Sequence, residues 1–351
     1  MRLKITTGRP IAAAVTFIIL CLSLGGCASD AAPKLPAASA PTVKAVYTKI
    51  APNIDGKSDA VWKTAPETRV KLLETNETIN LRFLYTNTSI YVKATYPDST
   101  HDYIDRPWRF DGQKWKQIGQ QDSLCLIWNI NDSIRGFNAR GFDILTRGLE
   151  ENRHPWDIEI DGGKQATVPA WFKAQKGDFW STGLQLPYGK AEDWVLKTGK
   201  ARWSNGDWHI KLVNQHDAFT DTAPWVLNKA ADWTRPIWIL KPGLTLLADP
   251  YPVSADVIEV GDHVPVAGEM QPFIVYRTRQ ARWGGSKDDI DGAEAWRTGI
   301  WTVEMRRPLN TGHNDDISFQ PKGGRAYNFS LLVRRTGSRY QPTDPVKLVF
   351  D

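Results

Sequence analysis

The sequence predicts an all-β fold, an immunoglobulin-like antiparallel β-sandwich with long loops and a few short helical turns. Three observations predict it. Short runs alternate apolar and polar side chains with a period of two, and about ten such runs are spread along the chain. The 27 glycines and 22 prolines gather between them, as turn chemistry requires. No amphipathic helix longer than a turn or two is present to carry the crossovers of a parallel sheet. With 351 residues, 41% of them hydrophobic, the chain can bury one large core or two small ones. Its 16 tryptophans imply wide core packing, a lined groove, or both.

In chain order, the first segment is a leader. Arg2, Lys4 and Arg9 precede an apolar run from Ile11 to Leu24. That run falls short of the roughly 20 residues a membrane-spanning helix needs. Leu24-Gly25-Gly26-Cys27 then resembles a bacterial lipobox, so residues 1–26 are expected to be removed and Cys27 to carry lipid. Residues 27–44, rich in Ala, Pro and Ser, have little to bury and read as a tether. Ala28 stands where an Asp would resemble the inner-membrane retention signal, which places the expected anchor in the outer membrane, facing the periplasm.

The domain is expected over residues 45–351. Asp55-Gly56 makes a turn, and Asp59 to Trp62 makes a helical turn that drives Trp62 inward. A strand begins at Val70, and residues 79–86 and 89–96 form a hairpin around Asn87. A loop containing Trp108 and Trp115 leads to a strand from Ser123 to Ile130. Residues 131–235 are less regular, with strands expected from Trp156 to Ile160 and from Trp208 to Val213. Two more are expected from Ile237 to Leu240 and from Phe273 to Arg277. Near the end, Trp301, Val303 and Met305 share one strand face, and Tyr327, Phe329 and Leu331 share another. These two segments, linked by a polar loop, read as a closing pair of strands.

Charge and cysteine content exclude several functions. Loss of residues 1–26 removes three positive charges and no negative ones, so the net charge falls from +5 to +2. No basic stripe interleaved with aromatics replaces them, so no nucleic-acid partner is expected. Of three cysteines, Cys21 leaves with the leader and Cys27 takes lipid. Cys125 is left as a small buried hydrophobe that cannot form an internal disulfide. No nucleophile elbow, HExxH motif, P-loop or dinucleotide fingerprint occurs, and no enzymatic activity is expected.

Several motifs then fall in a recognisable order. The opening APNIDGKSDAVWKTAP resembles that of the sandwich superfamily containing family 9 carbohydrate-binding modules and DOMON cytochrome domains. Tyr96, Asp98, Thr100, Trp115, Asp122 and Trp128 fall at places that resemble one branch of it, the haem-binding domain related to the gamma subunit of ethylbenzene dehydrogenase. Residues 177–196 and 289–319 are similar to that branch's Asp-x-Trp and closing segments, the latter through Trp296, Gly299, Trp301, Arg307, Leu309, Thr311, Gly312, Asp316 and Phe319. Two places depart from the pattern. Gly136 to Phe142 lacks the Cys and His that many members carry, and Phe179-Trp180 replaces a Trp-x-Trp.

The resemblance implies a periplasmic domain that binds haem b non-covalently and exchanges electrons with a redox partner protein. Its members ligate iron with a Met sulfur and a Lys or His nitrogen. Met270, in a Gly- and Pro-rich loop, is the implied sulfur ligand to the haem iron. His209, His216 or Lys287 is the implied nitrogen ligand, with Trp180 or Trp301 walling the porphyrin. His154 and His263 are weaker candidates, and Met305 reads as core. The acidic groups at Asp288, Asp289 and Asp291 and at Asp315 and Asp316 lack an EF-hand pattern and read as turn caps. Two alternatives stand beside haem: a carbohydrate-binding module of the family 9 type, for which tryptophan faces suit sugar stacking, and a structural lipoprotein with no ligand.

Overall fold

The computed structural model describes residues 40–351 except 76, 135, 142–156, 161–175, 183–188, 205–206, 217–223, 279–283 and 338–340. For the strand residues 157–160, 196–204 and 207–216 it describes the backbone only. The leader, Cys27, most of the tether and His154 therefore lie outside the described residues.

The fold is mostly β, as expected. The first seven strands are β1 (Thr42–Tyr47), β2 (Thr68–Lys71), β3 (Thr78–Tyr85), β4 (Ser89–Pro97), β5 (Trp108–Phe110), β6 (Trp115–Gln117) and β7 (Ser123–Asn129). Then come β8 (Asp157–Ile160), β9 (Lys176–Ser181), β10 (Glu192–Ser204), β11 (Asp207–His216), β12 (Trp225–Leu227), β13 (Trp238–Leu240) and β14 (Val257–Glu259). The last are β15 (Met270–Gln271), β16 (Ile274–Tyr276), β17 (Asp291–Arg297), β18 (Ile300–Pro308), β19 (Tyr327–Arg334), β20 (Gln341–Pro342) and β21 (Val346–Phe350). Helix is confined, among the described residues, to single turns such as Ala60–Thr64 and Phe137–Arg140. None is long and apolar enough to cross a membrane.

The main sheet runs β17-β18-β4-β3-β1-β21-β19-β7-β9-β10-β11-β8 and folds over on itself. Phe83 on β3 meets Trp128 on β7 at 6.3 Å and Phe329 on β19 at 5.6 Å between ring centroids. Two layers thus share one core, which includes Trp301, Val303 and Met305 from one side and Tyr327, Phe329 and Leu331 from the other. The alternation read from the sequence assigned these faces correctly because a period of two leaves no other way to bury them.

Three details differ from expectation. β18 and β19 are not neighbours: β4, β3, β1 and β21 lie between them in the sheet. They close the sandwich from opposite layers. β1 starts at Thr42, three residues ahead of the expected boundary, and pairs in parallel with both β3 and β21. One strand therefore stitches the two layers together within an otherwise antiparallel ladder. Glu304, on the polar face of β18, is fully buried because the 55–56 turn covers it, with the Asp55 and Gly56 amides donating to its Oε2 at 3.3 and 3.1 Å.

Other local expectations correspond closely. β3 and β4 form the hairpin, paired from Asn80↔Thr95 to Tyr85↔Ile90. Trp62 is buried by the turn that follows Asp59. Cys125 is buried and unpaired to another cysteine, its Sγ lies 3.3 Å from Ser181 Oγ, and burial pushes its thiol pKa up.

Candidate functional site

Among the described residues, the side chains singled out as ligands are not brought together on one cavity. Trp180 and Trp301 are 1% and 2% exposed and belong to the core. Trp180 packs 5.2 Å from Trp128 and lies under the Arg307 guanidinium at 5.1 Å. Neither indole offers a face to a ligand as placed. Lys287 is fully buried, its Nζ donating to the Asp193 carbonyl at 3.1 Å and sitting 3.9 Å over the Trp194 ring. His209 and His216 sit on β11, opposite Arg202 and Trp194 of β10 in register, and their side chains lie outside the described residues. Met305 is core, as expected.

Among the described side chains of this set, Met270 lines a cleft. The cleft encloses about 170 Å³ and is bordered by His101, Asp102, Tyr103, Ile104, Pro107, Ile118, Gly119, Leu247 and Thr336 besides Met270. It forms where β4 ends: Asp98 caps the following turn, accepting the Thr100 amide at 3.0 Å. The loop then delivers two rings in succession. His101 stacks parallel to Trp296 at 5.2 Å and 7°, and touches Tyr103 at 4.4 Å and Trp301 at 5.2 Å. The Trp296 Nε1 donates to the Asp98 carbonyl at 3.0 Å, so the stack is pinned to the strand end. Desolvation among these rings lowers the His101 pKa, with Asp102 opposing.

Asp122 holds the cleft from behind. It is 2% exposed; Oδ2 accepts from the Asp102 amide at 3.2 Å and from Trp301 Nε1 at 3.3 Å. Oδ1 accepts from the Thr336 amide at 3.2 Å. One buried carboxylate thus fixes two backbone segments that border the cleft. Burial, aided by nearby Asp98, pushes its pKa up to about 6. Arg335 adds a second brace, donating to Asp98 Oδ2 at 3.1 Å and to the Pro97 carbonyl at 2.7 Å.

The outcome is a small concavity with aromatic rings at Tyr103 and at His101, which is backed by Trp296, an apolar side from Ile104, Ile118 and Leu247, and polar groups at Asp102 and Thr336. Such a surface suits a compact ligand having one apolar face and several hydroxyls. A second, larger groove of about 490 Å³ near Pro52, Asn53, Tyr91, Asp291 and Arg306 is open and polar and carries no aromatic stack.

Sequence reasoning found part of this site. Asp98, Thr100 and Asp122 were marked by the resemblance, and Met270 by its loop. His101 and Tyr103 were missed. Their signal was present as two rings two positions apart, directly after the Asp98 turn.

No protein-family description matches the chain, and no curated protein matches it. Two solved structures of a family 9 carbohydrate-binding module from Caldicellulosiruptor kristjanssonii are similar to it at 10% sequence identity. The complex with cellotriose has a TM-score of 0.33, covering 88% of this chain and 94% of that chain. The complex with glucose has a TM-score of 0.32, covering 88% and 96%. Similarity at this level transfers no residue role.

Proposed function

We propose that this chain is a saccharide-binding module, held by lipid on Cys27 at the periplasmic face of the outer membrane. The carrying observation is the cleft at the end of β4, whose Tyr103 and His101 rings, the latter backed by Trp296, meet Asp102 and Thr336 across about 170 Å³. Sugar rings present C–H groups on one face and hydroxyls at the edge, which aromatic faces and a polar rim accept together. The volume suits a single sugar ring. The anchor is supported by the Leu24-Gly25-Gly26-Cys27 sequence and the Ala/Pro/Ser-rich stretch behind it.

A second reading, the haem b electron-transfer domain, has one observation in its favour: the Met270 and His101 side chains border the same cleft. Among the described residues, those named for the porphyrin are not gathered around one cavity. The cleft lies below the roughly 300–1,000 Å³ of pockets that enclose large ligands. Lys287 is committed to Asp193, and Trp180 and Trp301 to the core.

One preparation separates the readings. The mature chain is purified from cells supplied with haem, then tested for retention on insoluble polysaccharides and for a visible spectrum. Colourless protein retained on a polysaccharide supports the saccharide reading. A Soret band that shifts on dithionite reduction supports the second and would overturn the first.

A further inference from the structure

We propose that Asp289, His313 and Asp316 form a binding site for a divalent transition metal, with zinc the best-matched ion. Asp289 ends the turn ahead of β17, whereas His313 and Asp316 lie in the β18–β19 connection. The two acidic groups that read separately as turn caps therefore contribute one member each, with a histidine between them. One ligand atom from each of the three side chains lies within 4.8 Å of the others. His313 Nδ1 is 2.8 Å from Asp289 Oδ2 and 3.7 Å from Asp316 Oδ2. Donors at such separations can close on an ion whose bonds to nitrogen and oxygen are about 2.0–2.2 Å.

The second observation is Asp316 itself. It is 6% exposed; its Oδ2 is 3.1 Å from Arg307 Nη2, and among the described residues its Oδ1 has no hydrogen-bond partner. A buried carboxylate with an oxygen left without a partner is costly, and a cation bound by Asp316 together with His313 and Asp289 offsets that cost. Charge points the same way. Asp289 and Asp316 lie within the field of the Arg307 guanidinium, which Asp178 and Asp193 also share, so carboxylates outnumber that cation around the site.

The donor set selects the class of ion. Calcium takes six to eight oxygens, whereas imidazole beside carboxylates favours zinc and its neighbours. His313 is exposed, so solvent reaches the site and can complete the coordination. A bound ion would clip the segment before β17 to the connection after β18, and so would stabilise the fold by mass action.

The test uses the tag-free mature chain, stripped with EDTA, and its His313→Ala and Asp289→Asn variants. Thermal melts and calorimetric titrations are run with zinc chloride and with calcium chloride. Zinc is expected to raise the Tm of the unaltered chain, and each variant to weaken zinc binding by on the order of tenfold or more. Absence of zinc binding to the unaltered chain, or equal binding by His313→Ala, would overturn the proposal. So would a calcium response that His313→Ala leaves intact while zinc gives none.

Discussion

The indole Nε1 of Trp301 donates to Oδ2 of Asp122 at 3.3 Å, tying the β17–β18 hairpin to the start of β7 beneath the cleft. The same carboxylate receives the Asp102 and Thr336 amides. Replacing it with Ala leaves three donors without their acceptor. Asp122→Ala should therefore cost about 1–3 kcal/mol, read as a lower denaturation midpoint. Hydrogen exchange at the Asp102 and Thr336 amides should quicken more than exchange in β3 or β4. Uniform loss of protection would contradict the brace assigned to Asp122.

The raised pKa of Asp122 has a signed consequence. In the fold it loses its proton near pH 6, above the ordinary carboxylate value. The folded chain then binds the proton more tightly than the unfolded chain. This contribution to stability is present at low pH and is lost as pH rises from about 4 to 6. Asp122→Asn removes it, so the difference in stability between unaltered chain and variant should change across that window, by at most ~1.4 kcal/mol per pH unit. A constant difference from pH 3.5 to 7 would show that Asp122 titrates normally.

Gly56 occupies a position no other residue fits. Its φ is +71°, and a Cβ there would stand 2.8 Å from the Glu294 backbone carbon. Gly56→Ala should cost more than the roughly 1 kcal/mol of a left-handed backbone, because backbone of β17 must also move. It should expose Glu304 beneath the turn. A variant that melts with the unaltered chain would contradict this packing.

Trp180 packs in the core against Trp128. Trp180→Ala should cost about 3–5 kcal/mol, whereas Met270→Leu should cost less than about 1.5 kcal/mol because that side chain is only half-buried. The reverse order would restore Trp180 to a ligand face.

Much of the fold was legible because alternation decides which strand faces are buried. Trp301, Val303 and Met305 went inward as read, and the 79–96 hairpin formed where its turn lay. Sheet order was not legible: nothing in the β18 and β19 sequences says that four strands intervene. Nor was the burial of Glu304, which depends on a turn nearly 250 residues away in sequence. For the site, residue type drew attention to tryptophans, yet the largest rings served the core. The cleft was built from His101 and Tyr103, whose placement depends on Trp296 of β17 and on Asp122 just ahead of β7.

If the lipobox is processed as proposed, Cys27→Ala should leave the chain soluble after membrane fractionation, while the unaltered chain labels with palmitate and sediments with the outer membrane. Equal partitioning of both would refute the anchor.

The most direct test of the central claim is calorimetric titration of the mature chain and its Tyr103→Ala variant with a series of mono- and oligosaccharides. The account predicts saturable heat for at least one sugar, abolished in Tyr103→Ala although that variant melts normally. Binding that Tyr103→Ala leaves unchanged, or no heat with any sugar in the series, would contradict it.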